Sequence, residues 1–254
     1  ELHRQFAKVG FVHVRDVFSA EELEAIDAEV ERLRADAREG DDRSWWTVGS
    51  DGTPAVCRLT FVDERSAPLG ALLRDGRLNR LVDAARGATQ MVPIPDRNDG
   101  PSVVIKNPGA SEGLTDLPWH VDCGLGGHPI LCPAINLGIQ LDPANATRGQ
   151  LHFLAGSHRT TAFHLTPDVL ADGAHPTVAI TTEPGDVTLH LGDTLHWAPA
   201  PSAPDGPGRR ALYLSWGNPV QFDVLEPRTG YNDLVLRSGQ GNRVRTVDEQ
   251  LTAG

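Results

Sequence analysis

The stretch INLGIQLDPANATRGQLHFLAG, residues 135–156, decides the fold. Its two ends, INLGIQLD and GQLHFLAG, are short apolar or alternating runs of the kind that form strands. The Pro, Asn and Gly residues between them favour a turn. After residue 88 the same pattern recurs in TQMVPI, SVVIK, TVAITT, DVTLHL and RALYLSW, with no helical period in between. Many short strands without intervening helices predict a sandwich or barrel rather than a βαβ fold.

The N-terminal part of the chain has a helical period. The segment GFVHVRD at 10–16 alternates and predicts a strand, but the residues that follow it do not. Ser19 and Glu22 form a capping box, which predicts the start of an amphipathic helix. A second helix is predicted within 68–87, with a break near Gly76.

These patterns predict a mainly β (α+β) chain that forms a single domain over residues 1–254. Residues 1–88 are expected to be mostly helical and to pack on one sheet. Residues 89–216 are expected to form the strand-rich core, and 217–254 a C-terminal extension with an edge strand at DLVL.

Composition excludes several classes of partner. A net charge of −11 and a pI near 5.3 disfavour a nucleic-acid-binding surface. No apolar run approaches the roughly 20 residues that span a bilayer, so no membrane partner is predicted. Three cysteines without a CxxC pair are typical of a reducing, cytoplasmic environment. The sequence carries no pattern that fixes an oligomeric state.

Candidate metal ligands occur in PWHVDCG. His120 and Asp122 are two residues apart, so on a strand both side chains point to one face. A third ligand is expected from His196, which precedes a Pro-rich loop, with His190 as a rival in the same segment. Two histidines and one carboxylate on one face, with the opposite positions open, form the facial triad of non-haem Fe(II) oxygenases.

Such an iron needs an electron source, which a bound 2-oxo acid can supply. The far carboxylate of that acid needs a cation, and an arginine can bind it with two parallel hydrogen bonds. Arg209 and Arg210 follow His196 at the start of the next predicted strand, and alternation places their side chains on opposite faces.

With these motifs the chain resembles a known family, the phytanoyl-CoA dioxygenase-like (PhyH) group of Fe(II)/2-oxoglutarate oxygenases. The resemblance covers most of the chain. It rests on GFVHVRDVFSAEELEAI, VIKNPG, PWHVDCG, LGIQLDPANATRGQLHFLAGSHR and GDVTLHLGDTLHWA. It implies a double-stranded β-helix, also called a jelly roll or cupin-like core.

The resemblance also implies roles for individual residues. His120 and Asp122 match the family's first two iron ligands, and the Gly185–Asp186 pair leads to His196 as the third. Arg209 matches the arginine that binds 2-oxoglutarate, with Arg210 as the fallback.

Other matches to the family are weaker. Lys106 matches a position that often faces the co-substrate or the substrate. AGSHR at 155–159 matches a family turn in which the histidine, here His158, is not a ligand, although Ala155 stands where proline is common. The loop after His196 lacks the usual asparagine, which puts the geometry of that loop in doubt.

The implied cofactors are Fe(II), 2-oxoglutarate as co-substrate, and O2, and the implied partner is a small-molecule substrate. Halogenases related to the family replace the carboxylate ligand by a small residue. Because Asp122 is present, hydroxylation or another oxidation, such as epimerisation or cyclisation through a substrate radical, is expected instead. An Ala-, Arg-, Gly- and Asp-rich composition with little lysine indicates a high-GC bacterial genome. For such a source the resemblance implies a natural-product tailoring step in secondary metabolite biosynthesis.

Two other readings stay open at this stage. GASEG at 109–113 matches the G-x-S-x-G nucleophile elbow, with Ser111 as the nucleophile of a serine hydrolase. That motif needs a helix after it, and Pro118 arrives early for one. The other alternative is a non-catalytic β-barrel binding module.

Overall fold

The computed structural model describes most of the first 220 residues. The described ranges are 1–41, 43–49, 51–87, 89–94, 100–110, 117–122, 134–159, 176–203 and 206–220. The predicted nucleophile Ser111 and the DLVL segment lie outside them.

The helices occur in the N-terminal third. They are α1 Leu2–Val9, α2 Ala20–Asp36, α3 Val62–Arg65, α4 Ala67–Ala71 and α5 Gly76–Arg86, with short 3-10 turns at Leu72–Arg74 and Ser157–Arg159. Helix α2 begins where the sequence predicts, because Ser19 accepts from the Glu22 N–H while the Glu22 carboxylate accepts from the Ser19 N–H. Within the described ranges, no helix combines the length and the apolarity needed to cross a membrane.

The strands form two antiparallel sheets. They are β1 Phe11–Val14, β2 Ser44–Val48, β3 Pro54–Leu59, β4 Val92–Pro93, β5 Ser102–Lys106, β6 Leu117–His120, β7 Ile135–Gln140, β8 Leu151–Leu154, β9 Thr177–Ile180, β10 Val187–Leu191, β11 His196–Ala198 and β12 Arg209–Gly217. Among the described strands, the larger sheet has the order β1-β10-β7-β12-β5-β3-β2, with β4 on β12, and the smaller sheet has the order β6-β11-β8-β9.

From β5 to β12 the chain repeatedly crosses between the two sheets. Strands β5, β7, β10 and β12 belong to the larger sheet, whereas β6, β8, β9 and β11 belong to the smaller one. This winding is the double-stranded β-helix, and it confirms the predicted fold class.

The N-terminal helices cover one face of the larger sheet, as predicted. Ile26, Val30 and Leu33 of α2 belong to the same buried apolar cluster as Leu137 and Leu212 of the sheet. Neighbouring residues on each strand therefore point toward the smaller sheet. The candidate site lies on that inner face.

The mostly helical part also contains a hairpin that was not predicted from the sequence. Strands β2 and β3 pair with each other, and β3 extends the larger sheet through β5. Gly49, Asp51 and Gly52 lie between the two strands. These turn-forming residues could have indicated the hairpin. Helix α1 was also missed, because it is only 8 residues long and Phe6 is its one buried residue.

Candidate metal centre

The two histidines of the predicted triad lie on neighbouring strands of the smaller sheet. His120 ends β6 and His196 begins β11, and the two residues are register partners. Their side chains therefore share a face, and their ring centroids are 4.2 Å apart. Strand pairing thus brings together two residues that are distant in the sequence.

Asp122 completes this group from the segment after β6. Its Oδ1 lies 3.5 Å from His120 Nε2 and 3.6 Å from His196 Nε2. One ligand atom from each of the three residues lies within 4.8 Å of the other two. This donor set, with two imidazoles and one carboxylate converging from one side, fits a divalent first-row transition metal.

The backbone before His196 fixes which ring nitrogen is available. The Nδ1 of His196 lies 2.9 Å from the Thr194 carbonyl oxygen, to which it donates. Nε2 is then the unprotonated nitrogen, and it faces Asp122. The AGSHR turn supports this segment, because Ser157 Oγ accepts from the Leu195 N–H.

The ionisation states also suit a metal. Burial lowers the pKa of His196 to about 3, so this imidazole is neutral at pH 7. Burial alone would raise the pKa of Asp122, but the imidazoles of His196, His120 and His190 outweigh it and hold that pKa well below its usual range. A neutral imidazole and an ionised carboxylate are the states that bind a cation.

His190, the rival third ligand, lies on β10 of the larger sheet. Its Nε2 is 2.7 Å from Asp122 Oδ2, the oxygen that the other two histidines do not face. Within the described part of the chain, the group whose ligand atoms converge contains His196 and not His190. His190 therefore contacts Asp122 through the carboxylate oxygen that does not face the other two histidines.

The two candidate arginines have opposite environments. Arg209 is buried and faces the interior, where its Nη atoms donate to the Gly149 carbonyl and to Gln140 Oε1, each at 2.9 Å. Its Nε has no hydrogen-bond partner among the described residues, and no described carboxylate forms an ion pair with it. Arg210 lies on the helix-packed face and pairs with carboxylates. Its partners are Asp27, Glu31 and Asp142.

Lys106 lies beside Arg209. The two residues are register partners on β5 and β12. The Lys106 side chain is 1% exposed, and its Nζ donates to the Ala198 carbonyl oxygen at 2.7 Å. Two buried cations on neighbouring strands indicate that this end of the inner face suits an anionic group.

Asp186 of the Gly–Asp pair lies away from the three ligand candidates. Its carboxylate accepts from His13 Nε2 and from the backbone N–H groups of Asp16 and Glu183. This residue therefore connects the turn before β10 to the segment that follows β1. His158 of the AGSHR turn is buried, and its Nε2 lies 3.2 Å from the Ala7 carbonyl oxygen.

Sequence reasoning missed two polar neighbours of the site, Asn136 and Gln140. Asn136 donates to Asp122 Oδ2, and Gln140 accepts from Arg209. Both belong to INLGIQ, where residues two apart share a face. That alternation could have placed them on the inner face, although not beside those particular partners.

Solved structures define the class of fold. EctD from S. alaskensis with bound Fe superposes with a TM-score of 0.70 at 22% identity, over 96% of this chain and 85% of that one. The epimerase SnoN, in complex with Fe3+, alpha ketoglutarate and nogalamycin RO, superposes with a TM-score of 0.65 at 20% identity, over 96% and 94%. This chain thus has the jelly-roll fold of 2-oxoglutarate-dependent oxygenases.

The sequence identifies the family within that class. The family model for phytanoyl-CoA dioxygenase (PhyH) matches residues 6–211. The chain therefore belongs to the PhyH family, which confirms the resemblance drawn from its motifs. Ectoine dioxygenase of Bordetella bronchiseptica is 29% identical over 156 residues, covering 61% of this chain and 48% of that protein. The chain thus spans about half the length of the curated relatives it matches.

Proposed function

We propose that this protein is a non-haem Fe(II)- and 2-oxoglutarate-dependent oxygenase that oxidises an unactivated C–H bond of a small molecule. The observation that carries the proposal is the convergence of His120, Asp122 and His196, with Asp122 Oδ1 about equally far from the two Nε2 atoms. Membership in the PhyH family supports it.

The three converging side chains would hold the iron. They bind it from one side, through two neutral imidazole nitrogens and one carboxylate oxygen, and leave the opposite positions open. When bound, iron and 2-oxoglutarate together supply the oxidation: O2 is consumed, 2-oxoglutarate becomes succinate and CO2, and the substrate is oxidised. The protein's own contribution is to place these ligands and to keep the centre away from bulk water.

Arg209 would bind the distal carboxylate of 2-oxoglutarate. It is buried at the inner face, and its described partners are the neutral Gly149 carbonyl, the Gln140 amide and, at 3.4 Å, the Tyr213 hydroxyl. Its positive charge is therefore not neutralised by a described carboxylate, in contrast to that of Arg210. Lys106, directly across from Arg209 in the register, would add a second positive charge to the same end.

The Gly149 backbone helps to build this end of the site. Gly149 has a φ of +67°, and a Cβ at this position would come within 2.6 Å of the Pro199 carbonyl oxygen and 2.8 Å of Lys106 Cδ. Only glycine allows the turn before β8 to approach Lys106 so closely while its carbonyl accepts from Arg209. This approach holds both cations in place.

The substrate we infer is a small bacterial metabolite, and the reaction is a natural-product tailoring step in the cytoplasm. Two neighbours in fold or sequence support this class, one named an ectoine dioxygenase and the other an epimerase from nogalamycin biosynthesis. Asp122 occupies the carboxylate position, which favours hydroxylation, or epimerisation or cyclisation through a substrate radical, over halogenation.

An anaerobic titration tests the proposal. Fe(II) and 2-oxoglutarate are added to metal-free protein while the visible spectrum is recorded, and we expect a weak charge-transfer band. His196→Ala should abolish the band, whereas His152→Ala, on the outer face of β8, should keep it. A folded wild-type protein that gives no band, and that forms no succinate when oxygen and candidate metabolites are added, would contradict the proposal.

A further inference from the structure

The two carboxylate oxygens of Asp122 have different surroundings. Oδ1 faces the Nε2 atoms of His120 and His196, at 3.5 and 3.6 Å. Oδ2 instead accepts two hydrogen bonds, from His190 Nε2 at 2.7 Å and from Asn136 Nδ2 at 2.5 Å. One oxygen is thus directed at the metal position, and the other is occupied by donors from the opposite sheet.

The donors to Oδ2 belong to a row of residues across three neighbouring strands. Asn136 of β7 is the register partner of both His190 on β10 and Ser215 on β12. Ser215 Oγ donates to Asn136 Oδ1 at 2.7 Å, which turns the Asn136 amide so that its Nδ2 faces Asp122. The row is therefore a preorganised support and not a single chance contact.

His190 is held in the interior with a single side-chain hydrogen bond among the described residues. Its side chain is 1% exposed, and its ring packs against those of His196 and Phe153, with centroid distances of 4.5 and 5.4 Å. Its Nδ1 has no partner among the residues that the structure describes. A buried imidazole with one hydrogen bond, to a carboxylate oxygen, carries its proton on the bonded nitrogen.

We propose that His190 is a positioning residue that, together with Asn136, holds Asp122 so that only Oδ1 is presented to the metal. A carboxylate can bind a cation with one oxygen or with both. Two donors on Oδ2 prevent that oxygen from turning toward the metal, which keeps the binding monodentate and leaves a further coordination position open. The inference rests on the proposed iron site and deepens it. It makes a residue outside the triad responsible for keeping that coordination position open.

The test replaces His190 by two unbranched side chains of similar length. His190→Gln keeps an N–H donor, and His190→Met removes it; His152→Phe is the control, since it removes an imidazole on the outer face of the smaller sheet. Co(II) is titrated into metal-free protein, and both the dissociation constant and the visible d–d spectrum, which reports the ligand number, are recorded. Thermal unfolding of each metal-free variant verifies that it is folded.

We expect His190→Met to weaken Co(II) binding about 10- to 100-fold, as is typical when a hydrogen bond to a metal ligand is lost, and to change the spectrum. His190→Gln should restore most of the affinity and the wild-type spectrum, and His152→Phe should match the wild type. If His190→Met does not fold, His190→Phe provides the same comparison with His190→Gln.

Two results would overturn the inference. One is a His190→Met protein that binds Co(II) with the wild-type affinity and spectrum. The other is an equal loss in the Gln and Met variants, which would mean that the donor is not the relevant group. Failure of the proposed function is distinguishable from both, because it would appear in the wild-type protein itself, as an absence of Co(II) binding or of the Fe(II)/2-oxoglutarate band.

Discussion

The two faces of the larger sheet differ in chemistry although the same strands form both. On the face that packs against the helices, β7 and β12 carry Ile135, Leu137, Leu212 and Leu214, which are at most 1% exposed. On the inner face the same strands carry polar groups. These are Asn136, Gln140, Arg209, Tyr213 and Ser215. One face of the sheet contributes stability, and the other builds the site.

The polar face of these alternating strands is not the solvated face that alternation usually predicts. In an antiparallel sheet, alternation usually separates a buried apolar face from a solvated polar one. Here much of the polar face is also buried, with Gln140 at 0%, His190 at 1% and Arg209 at 3% exposure, while Asn136, Tyr213 and Ser215 are half-buried. Buried polar groups are costly unless they are hydrogen-bonded. A polar face covered by a second sheet therefore indicates a binding site.

The largest expected effect is on the helix-packed face. Leu137→Ala should lower the free energy of unfolding by about 2–5 kcal/mol, because it removes a fully buried side chain and leaves a cavity. Denaturant unfolding measures the loss. The folded variant should still bind Fe(II) and 2-oxoglutarate with nearly wild-type affinity, since Leu137 points away from the site.

Val48→Ala provides the apolar control for that measurement. Val48 lies on β2 of the same sheet and is 44% exposed, so the change should cost at most about 0.5 kcal/mol. A Leu137→Ala protein that loses 2-oxoglutarate affinity as strongly as it loses stability would show that the two faces are not separable.

A smaller effect is expected from replacing the two neighbouring arginines, whose side chains lie on opposite faces of β12. Arg209→Met should weaken 2-oxoglutarate binding by about 1.5–3 kcal/mol, the range for hydrogen bonds to charged groups, or roughly 10- to 100-fold. Arg210→Met should leave that affinity unchanged and cost about 0.2–1 kcal/mol of stability, because its carboxylate partners are partly exposed. Calorimetric titration of the iron-loaded protein, without oxygen, measures the affinity. A larger loss of affinity in Arg210→Met would reverse the assignment of the clamp.

The sequence points to the candidate triad because the signals for its three residues are local. His120 and Asp122 are two residues apart, and His196 follows a recognisable Gly–Asp pair, so spacing and motif together point to all three. The assignment of Arg209 over Arg210 is a different matter. Alternation shows that the two side chains diverge, but only the register of β12 against β5 and β7 shows which one faces inward.

The support of Asp122 could not be predicted from the sequence. Asn136, His190 and Ser215 meet because β7 lies between β10 and β12, and strand order is a property of the whole fold. The sequence therefore offers His190 only as a rival ligand. The β2–β3 hairpin has local turn signals, but its place beside β5 in the larger sheet is likewise a property of the whole fold.

A further small effect is expected at Asp186, a buried carboxylate just before β10 that lies away from the three ligand candidates. Burial raises the pKa of its carboxyl, but the Glu183 N–H, His13 and the Asp16 N–H together outweigh burial and lower that pKa below its ordinary value. A carboxylate with a lowered pKa in the folded state stabilises the protein above the unfolded-state pKa of about 4, and this contribution is lost as the pH falls through the lower folded-state value.

Asp186→Asn should therefore lower the free energy of unfolding by about 1 kcal/mol at pH 7, since the amide keeps one acceptor but loses the charge. The difference between wild type and variant should shrink as the pH falls below about 4, where the unfolded wild-type chain takes up the proton. Denaturant unfolding from pH 7 to pH 3 measures it, with Asp83→Asn as the control on an exposed residue of α5. Metal affinity should not change, because Asp186 bonds to the N-terminal segment and not to the triad. If Asp186→Asn instead weakened metal binding while stability stayed the same, the Gly–Asp pair would belong to the site and not to the contact with the N-terminal segment.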